Sequence, residues 1–178
     1  MQAFDRDAWN RQLFSIQRSI RYHARRQGFY DFWNTLTNAI SIIGGAGTVA
    51  AVMENSPFAA HWKLWFPAII TIASTLNLVW GTSRAARLHN DLYRRFTELE
   101  REMIAAAPSE GALQNIYSKR LAIEADEPPV KFALDVLCHN ELVRAMGLDD
   151  YREVNLWQRL CAHFYSFPNS KFPKVTVT

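Results

Sequence analysis

Apolar positions at both ends of the first hundred residues follow a helical rhythm. Near the N-terminus Trp9, Leu13, Ile16 and Ile20 recur at spacings of four, three and four, with arginines on the remaining face. This predicts an amphipathic helix over 1–31, suited either to a membrane surface or to packing on later helices. Gly28 is the expected break at its end. Farther along, Leu88, Leu92, Phe96, Leu99 and Met103 recur at spacings of four, four, three and four. They predict a stalk with one seam for a helical partner.

Between these stripes the periodicity is lost. Residues 32–53 lie between Asp31 and Glu54, residues 64–83 between Lys63 and Arg84, and neither run contains Asp, Glu, Lys, Arg or His. A helix rises about 1.5 Å per residue and a hydrocarbon core is about 30 Å thick, so roughly 20 residues cross it. Backbone groups in lipid must bond internally, which predicts a helical hairpin with crossings at 32–53 and 64–83. Arg18, Arg21, Arg25 and Arg26 precede the first run, Arg84 and Arg87 follow the second, and the connecting loop carries only Glu54 and Lys63 as charges. That asymmetry places both termini in the cytoplasm and the loop outside. Aromatic residues bracket the runs, Trp33 and Trp80 on the inner side and Trp62 and Trp65 on the outer. The alternative is a hydrophobic hairpin buried in a helical domain, since both runs contain Thr, Ser and Asn.

Past the stalk, Pro108, Ser109 and Gly111 mark a turn, and a helix follows through Leu113, Ile116, Tyr117 and Leu121. Glu127-Pro128-Pro129 ends it, because a residue before proline avoids the helical region. The next helix carries Phe132, Leu134, Val136, Leu137, Leu142 and Val143 and stops at Gly147, a residue suited to a C-terminal cap. Asp149 or Asp150 is the expected cap of a last helix bearing Val154, Leu156, Trp157, Leu160 and Phe164, with a loose tail from Pro168. The fold class is all-α: a two-helix transmembrane hairpin (32–83) between a basic amphipathic segment (1–31) and a cytoplasmic helical stalk and domain (84–178).

Charge refines this division. Residues 1–31 hold six arginines against three acids, whereas residues 84–178 balance thirteen against thirteen. A basic excess beside an apolar run suits anionic lipid and is no nucleic-acid footprint. The first thirty residues lack the apolar core of a signal peptide. Cys138 and Cys161 fall on the side where thiols stay reduced.

Within the first run Asn34, Thr37, Asn38, Ser41, Gly45 and Thr48 share an arc of about 100° at 3.6 residues per turn. Two readings stay open. The stripe packs helices closely through its small residues, or it lines a passive pore in an oligomer. Intramembrane ionisable groups are absent from both runs, which argues against a pump or a voltage sensor. Cys138-His139-Asn140-Glu141 is the most enzyme-like string, and Cys161 and His163 extend it to four metal-ligand types. Neighbours on a helix point about 100° apart, and the spacing matches no finger or ribbon, so core and hydrogen-bonding roles are expected instead. No catalytic residue, metal or cofactor is expected. The glycines near Gly44 and Gly45 lie inside an apolar run and form no phosphate loop.

The order of parts, RYHARRQGFYDFWNTLTNAISIIGGAGTVAAV leading into a hairpin and RAARLHNDLYRRFTELEREM leading out, resembles the SLATT family of bacterial two-transmembrane domains. The resemblance covers roughly 9–103 and implies a membrane effector that forms pores in conflict systems when a linked sensor responds to a nucleotide signal. This chain contains no recognisable sensor domain, so the resemblance implies a separate cytoplasmic sensor protein as partner or a trigger in the helices after Met103. The expectation is therefore a homo-oligomeric protein of the bacterial inner membrane that perturbs or permeabilises it in defence or phage–host conflict. The alternative is a membrane-anchored adaptor recruiting a cytoplasmic partner through its C-terminal helices.

Overall fold

The computed structural model describes the backbone of residues 5–53 and 57–175, and side chains there apart from those of 51–53, 57–64, 66, 78 and 80. Its helices are α1 (Arg6–Met53), α2 (Pro57–Trp80), α3 (Thr82–Ala105), α4 (Glu110–Glu124), α5 (Phe132–Met146) and α6 (Leu156–Cys161). The described residues contain no strand, only one isolated antiparallel bridge between Arg152 and Lys174. The all-α class holds. Two compact units divide the chain, one formed by 1–26 with 89–178, the other by 27–88.

The first unit is a helical bundle in which the N-terminal segment is an integral part. Asp5 starts α1 by accepting from the backbone N–H groups of Asp7 (2.9 Å) and Ala8 (3.1 Å), two donors with no partner inside the helix. Trp9 and Ile16 on α1 pack with Leu92, Phe96, Leu99 and Met103 on α3 and with Ile116 and Ile123 on α4. The amphipathic stripe therefore covers the bundle rather than a membrane surface. Each such side chain contributes about 1.5–3 kcal/mol by leaving water, which fixes α1 against α3. A second cluster joins Tyr22 to Ala133, Leu134, Cys138 and Ala162, with Phe167 and Phe172 against it.

Local signals set most of the boundaries. Ser109 caps α4 through the N–H of Ala112, α4 stops before the Pro-Pro pair, and α5 ends at Gly147 with φ 66°. The last helix departs from expectation. It is a single short segment capped by Asn155, whose side chain and that of Gln158 bond each other's backbone N–H, the reciprocal arrangement that needs a residue pair at this spacing. The tail is tied down, since Glu153 N–H donates to Pro173 O (2.9 Å) and Val175 N–H to Tyr151 O (2.8 Å).

In the second unit, residues 27–53 of α1 run antiparallel to α2. Ser41 meets Ser74 with their Oγ atoms 3.4 Å apart, and a Cβ placed on Gly44 would lie 2.7 Å from Ile70 Cγ1. Gly28 does not break α1, which passes through it as one helix. A helical glycine costs only about 1 kcal/mol relative to alanine, too little to interrupt a helix supported on both sides. The interruption comes at Gly81 instead, with φ 56° between α2 and α3, a left-handed geometry that glycine adopts without strain. Helix α2 therefore does not run unbroken into the stalk helix α3.

Among the described residues no helix is long and apolar enough to cross a membrane. Asn34, Thr37, Asn38 and Ser41 dilute the first predicted crossing, and Ser74, Thr75 and Asn77 the second. Both predicted crossings also include side chains outside the described set: 51–53 in the first, and 64, 66, 78 and 80 in the second.

Candidate functional site

The polar stripe of the first run is largely self-satisfied. Thr37 Oγ1 donates to Trp33 O (2.9 Å), with Asn34 O at 3.0 Å, Ser41 Oγ donates to Thr37 O (2.9 Å) and Thr48 Oγ1 to Gly44 O (2.9 Å). Hydroxyls returned to their own helix carry no unmet demand into an apolar surrounding. Thr37, Asn38 and Ser41 also face Ser74 and Asn77 across a cleft of about 400 Å³ within this unit. Close packing is made by Gly44. Gly45, expected either to pack or to line a pore, has nothing within 4 Å of the position a Cβ would take.

The residues expected at a membrane interface separate into two groups. Arg18 pairs with Asp135 (3.2 Å) and Arg25 with Glu141 (2.9 Å), and Arg21 donates to Gln17 O (3.4 Å). Arg26 is 5 % exposed and its Nη1 donates to His163 O at 2.7 Å. A guanidinium inside the bundle cannot serve lipid headgroups, so the expected surface position of Arg26 is corrected. Trp33 stacks edge-on with Phe29 and Phe32, and Trp65 is exposed. Arg84 is exposed and Arg87 donates to Ser83 Oγ. The side chains of Trp62 and Trp80 lie outside the described residues.

The Cys138–Glu141 string holds structure together. Cys138 is fully buried, and burial pushes its thiol up to about 12, which leaves almost no thiolate to act as a nucleophile. His139 Nε2 bonds Asp150 O (2.8 Å), while Asn140 brackets the backbone of Arg152, donating to its O (2.7 Å) and accepting from its N–H (2.8 Å). No group of three metal-ligand side chains is found among the described residues.

A different cluster occupies the centre of the bundle. His23 Nδ1 lies 2.9 Å from His89 Nδ1, and His23 Nε2 lies 3.1 Å from Glu127 Oε1. Both rings are nearly sealed from solvent, at 1 % and 2 % exposure, and Phe96 stacks on His23 at 5.5 Å. With both rings neutral, His89 donates Nδ1–H to His23, which donates Nε2–H to Glu127. Protonating both rings would oppose two N–H groups across this 2.9 Å contact. Burial first, then the charges of His23 and Arg26, holds His89 down to about 3. Glu127 bonds the far nitrogen of His23, so the three groups do not converge on a single metal position.

This relay has a trace in the sequence. His23 extends the α1 stripe three residues beyond Ile20, and His89 precedes Leu92 by three. Leu88, the expected start of the stalk seam, is 40 % exposed. The seam position belongs to His89.

No protein-family model matches the sequence, and no curated protein or solved structure was found to match it.

Proposed function

We propose that this chain is a membrane effector whose apolar hairpin self-associates and perturbs, or passively permeabilises, a bacterial inner membrane in defence or phage–host conflict. The supporting observation is the outward surface of the 27–88 unit. Phe32, Ile42, Ile43 and Val49 on α1 are exposed, as are Trp65, Ile69, Ile72 and Val79 on α2. Apolar side chains of this size in one small unit mark a surface that something apolar covers. Asn38 is exposed on the same hairpin, and an amide in lipid gains from bonding a second copy. Both termini are assigned to the cytoplasm by the arginine flanks, with a cytoplasmic sensor protein as trigger and no enzymatic step.

The experiment replaces Asn38 and Ser41 with leucine, which removes polar lining and preserves hydrophobicity. In liposomes holding equal amounts of protein, the wild type is expected to release dye and the double variant to release much less. Equal release by both would remove the stripe from the path. The adaptor reading is favoured by one observation of its own: α6 and its flank leave Leu156, Trp157, Leu160, Phe164 and Tyr165 exposed on the bundle. An adaptor inserts and assembles but leaves permeability unchanged when triggered.

A further inference from the structure

The bundle holds a cavity whose lining is far more cationic than the chain as a whole. About 480 Å³ in volume, it is bordered by Arg25 of α1, Arg144 of α5, Arg152 of the following loop and Arg159 of α6, with Glu141 the only acid in the lining. The whole chain carries twenty basic residues against seventeen acidic ones, so four guanidiniums against one carboxylate is a local concentration. Pockets of about 300–1,000 Å³ hold small organic ligands, and convergent guanidiniums are the usual way a protein holds phosphate oxygens.

The positions of these arginines are built in. Leu137, Asn140, Glu141 and Arg144 share one face of α5, at spacings of three, one and three. Asn140 clamps both backbone groups of Arg152, which brings that loop residue to the rim. The reciprocal cap at Asn155 and Gln158 starts α6, which brings Arg159 into the lining. Arg25 is held by Glu141 at 2.9 Å, and a guanidinium with five donors retains others for a ligand. Arg152 has only distant contacts to Asp150, at 3.4 and 3.5 Å. Arg144 and Arg159 make no ion pair or side-chain hydrogen bond among the described residues. Apolar contact is supplied by Leu134, Leu137 and Val154.

We infer that this cavity is a binding site for a phosphate-bearing small molecule, held by Arg144 and Arg159 with Arg25 and Arg152 completing the cationic wall. The site stands on the bundle alone and does not depend on the hairpin crossing a membrane. Phosphate of this kind reaches a protein either as a free organic phosphate or as an anionic lipid headgroup.

The test uses the full-length chain in detergent micelles, with calorimetric titration of adenosine triphosphate and of inorganic pyrophosphate in one arm. The other arm titrates short-chain phosphatidylglycerol against short-chain phosphatidylcholine. Binding in either arm is expected to weaken at least tenfold in Arg144→Gln/Arg159→Gln and less than twofold in the control Arg94→Gln/Arg101→Gln, which removes equal charge from α3. Saturation by the soluble phosphates identifies a free ligand, whereas saturation by phosphatidylglycerol alone identifies a lipid headgroup. Absence of binding in both arms, or equal weakening by the two double variants, overturns the site. Arg159→Gln alone, with its unliganded melting point compared with wild type, separates lost binding from lost folding.

Discussion

His23 and His89 meet nitrogen to nitrogen at 2.9 Å although 66 residues separate them in the chain. The contact ties α1 to α3 and, through Glu127, to the loop after α4. It makes the bundle sensitive to acid. His89 is lowered from 6.5 to about 3 and His163 from 6.5 to about 4, both chiefly by burial. A lowered folded value means that the unfolded chain takes up the proton first as pH falls. The stability is therefore complete above about pH 6.5 and is lost progressively toward pH 3 to 4, by up to about 1.4 kcal/mol per pH unit for each group. Melting points should be flat above pH 7 and fall below pH 6. His89→Asn should melt lower at pH 7.5 yet lose less between pH 7.5 and 5 than wild type. An unchanged pH response in that variant would show that His89 is not the group responsible.

Phe96 is fully buried and touches both the apolar core and the His23 ring. Truncation to alanine should cost about 3–5 kcal/mol, through lost burial and the cavity left behind. Ile104, on the same helix but 67 % exposed, should tolerate alanine with a change below about 0.5 kcal/mol. Denaturant unfolding of the two variants gives the comparison. Similar losses would mean that the α3 seam is not the one described.

The parts of the fold that local chemistry dictates were legible in the sequence. Leu92, Phe96, Leu99 and Met103 announce their seam by spacing, and Gly147 and the Pro128-Pro129 pair end helices for reasons confined to a few residues. The His23–His89 contact was not read from the sequence, because it joins distant segments and histidine carries no apolar signal. Its register with the two stripes is the one local trace it leaves. Arg26 misled for a related reason. Its charge suited a lipid surface, and nothing nearby in sequence announces the carbonyl of His163 that receives it.

Arg26 supplies the next test. A guanidinium at 5 % exposure bonded to His163 O is a structural group, and Arg26→Met should remove a charged hydrogen bond while retaining much of the stem packing. A loss of about 1–3 kcal/mol is expected from the orphaned carbonyl and the missing bond. Arg21 donates over a longer 3.4 Å contact to Gln17 O of its own helix, so Arg21→Met should change stability little. Thermal melts of the two proteins decide the matter, and equal melting points would return Arg26 to the surface.

The arginine-rich flanks carry a prediction about topology. If the hairpin spans the membrane with its loop outside, a cysteine at Ser56 should react with an impermeant thiol reagent in intact cells. The background replaces Cys138 and Cys161 with serine. A cysteine at Thr178 should react only after lysis. Protection of Ser56→Cys in intact cells combined with labelling at Thr178 would reverse the orientation, and protection of both until lysis would deny the crossing.

Gly44 and Gly45 are adjacent, yet their surroundings differ enough to separate packing within one chain from packing between chains. A Cβ on Gly44 would meet Ile70 Cγ1 at 2.7 Å, whereas one on Gly45 meets nothing within 4 Å. Gly44→Leu should therefore push α1 from α2, and Gly45→Leu should not. The Ser41 and Ser74 hydroxyls, 3.4 Å apart, provide a gauge, because cysteines at these positions are close enough to bridge after small side-chain rotations. With Cys138 and Cys161 replaced, Ser41→Cys/Ser74→Cys should oxidise to an intrachain disulfide. Adding Gly44→Leu should sharply reduce the bridged fraction, and shrinking Ile70 to alanine should restore it. Adding Gly45→Leu should leave the bridge intact while lowering the oligomer size, if copies associate through that open face. An oligomer unaffected by Gly45→Leu would move self-association away from the glycine face and onto another part of α1 or α2.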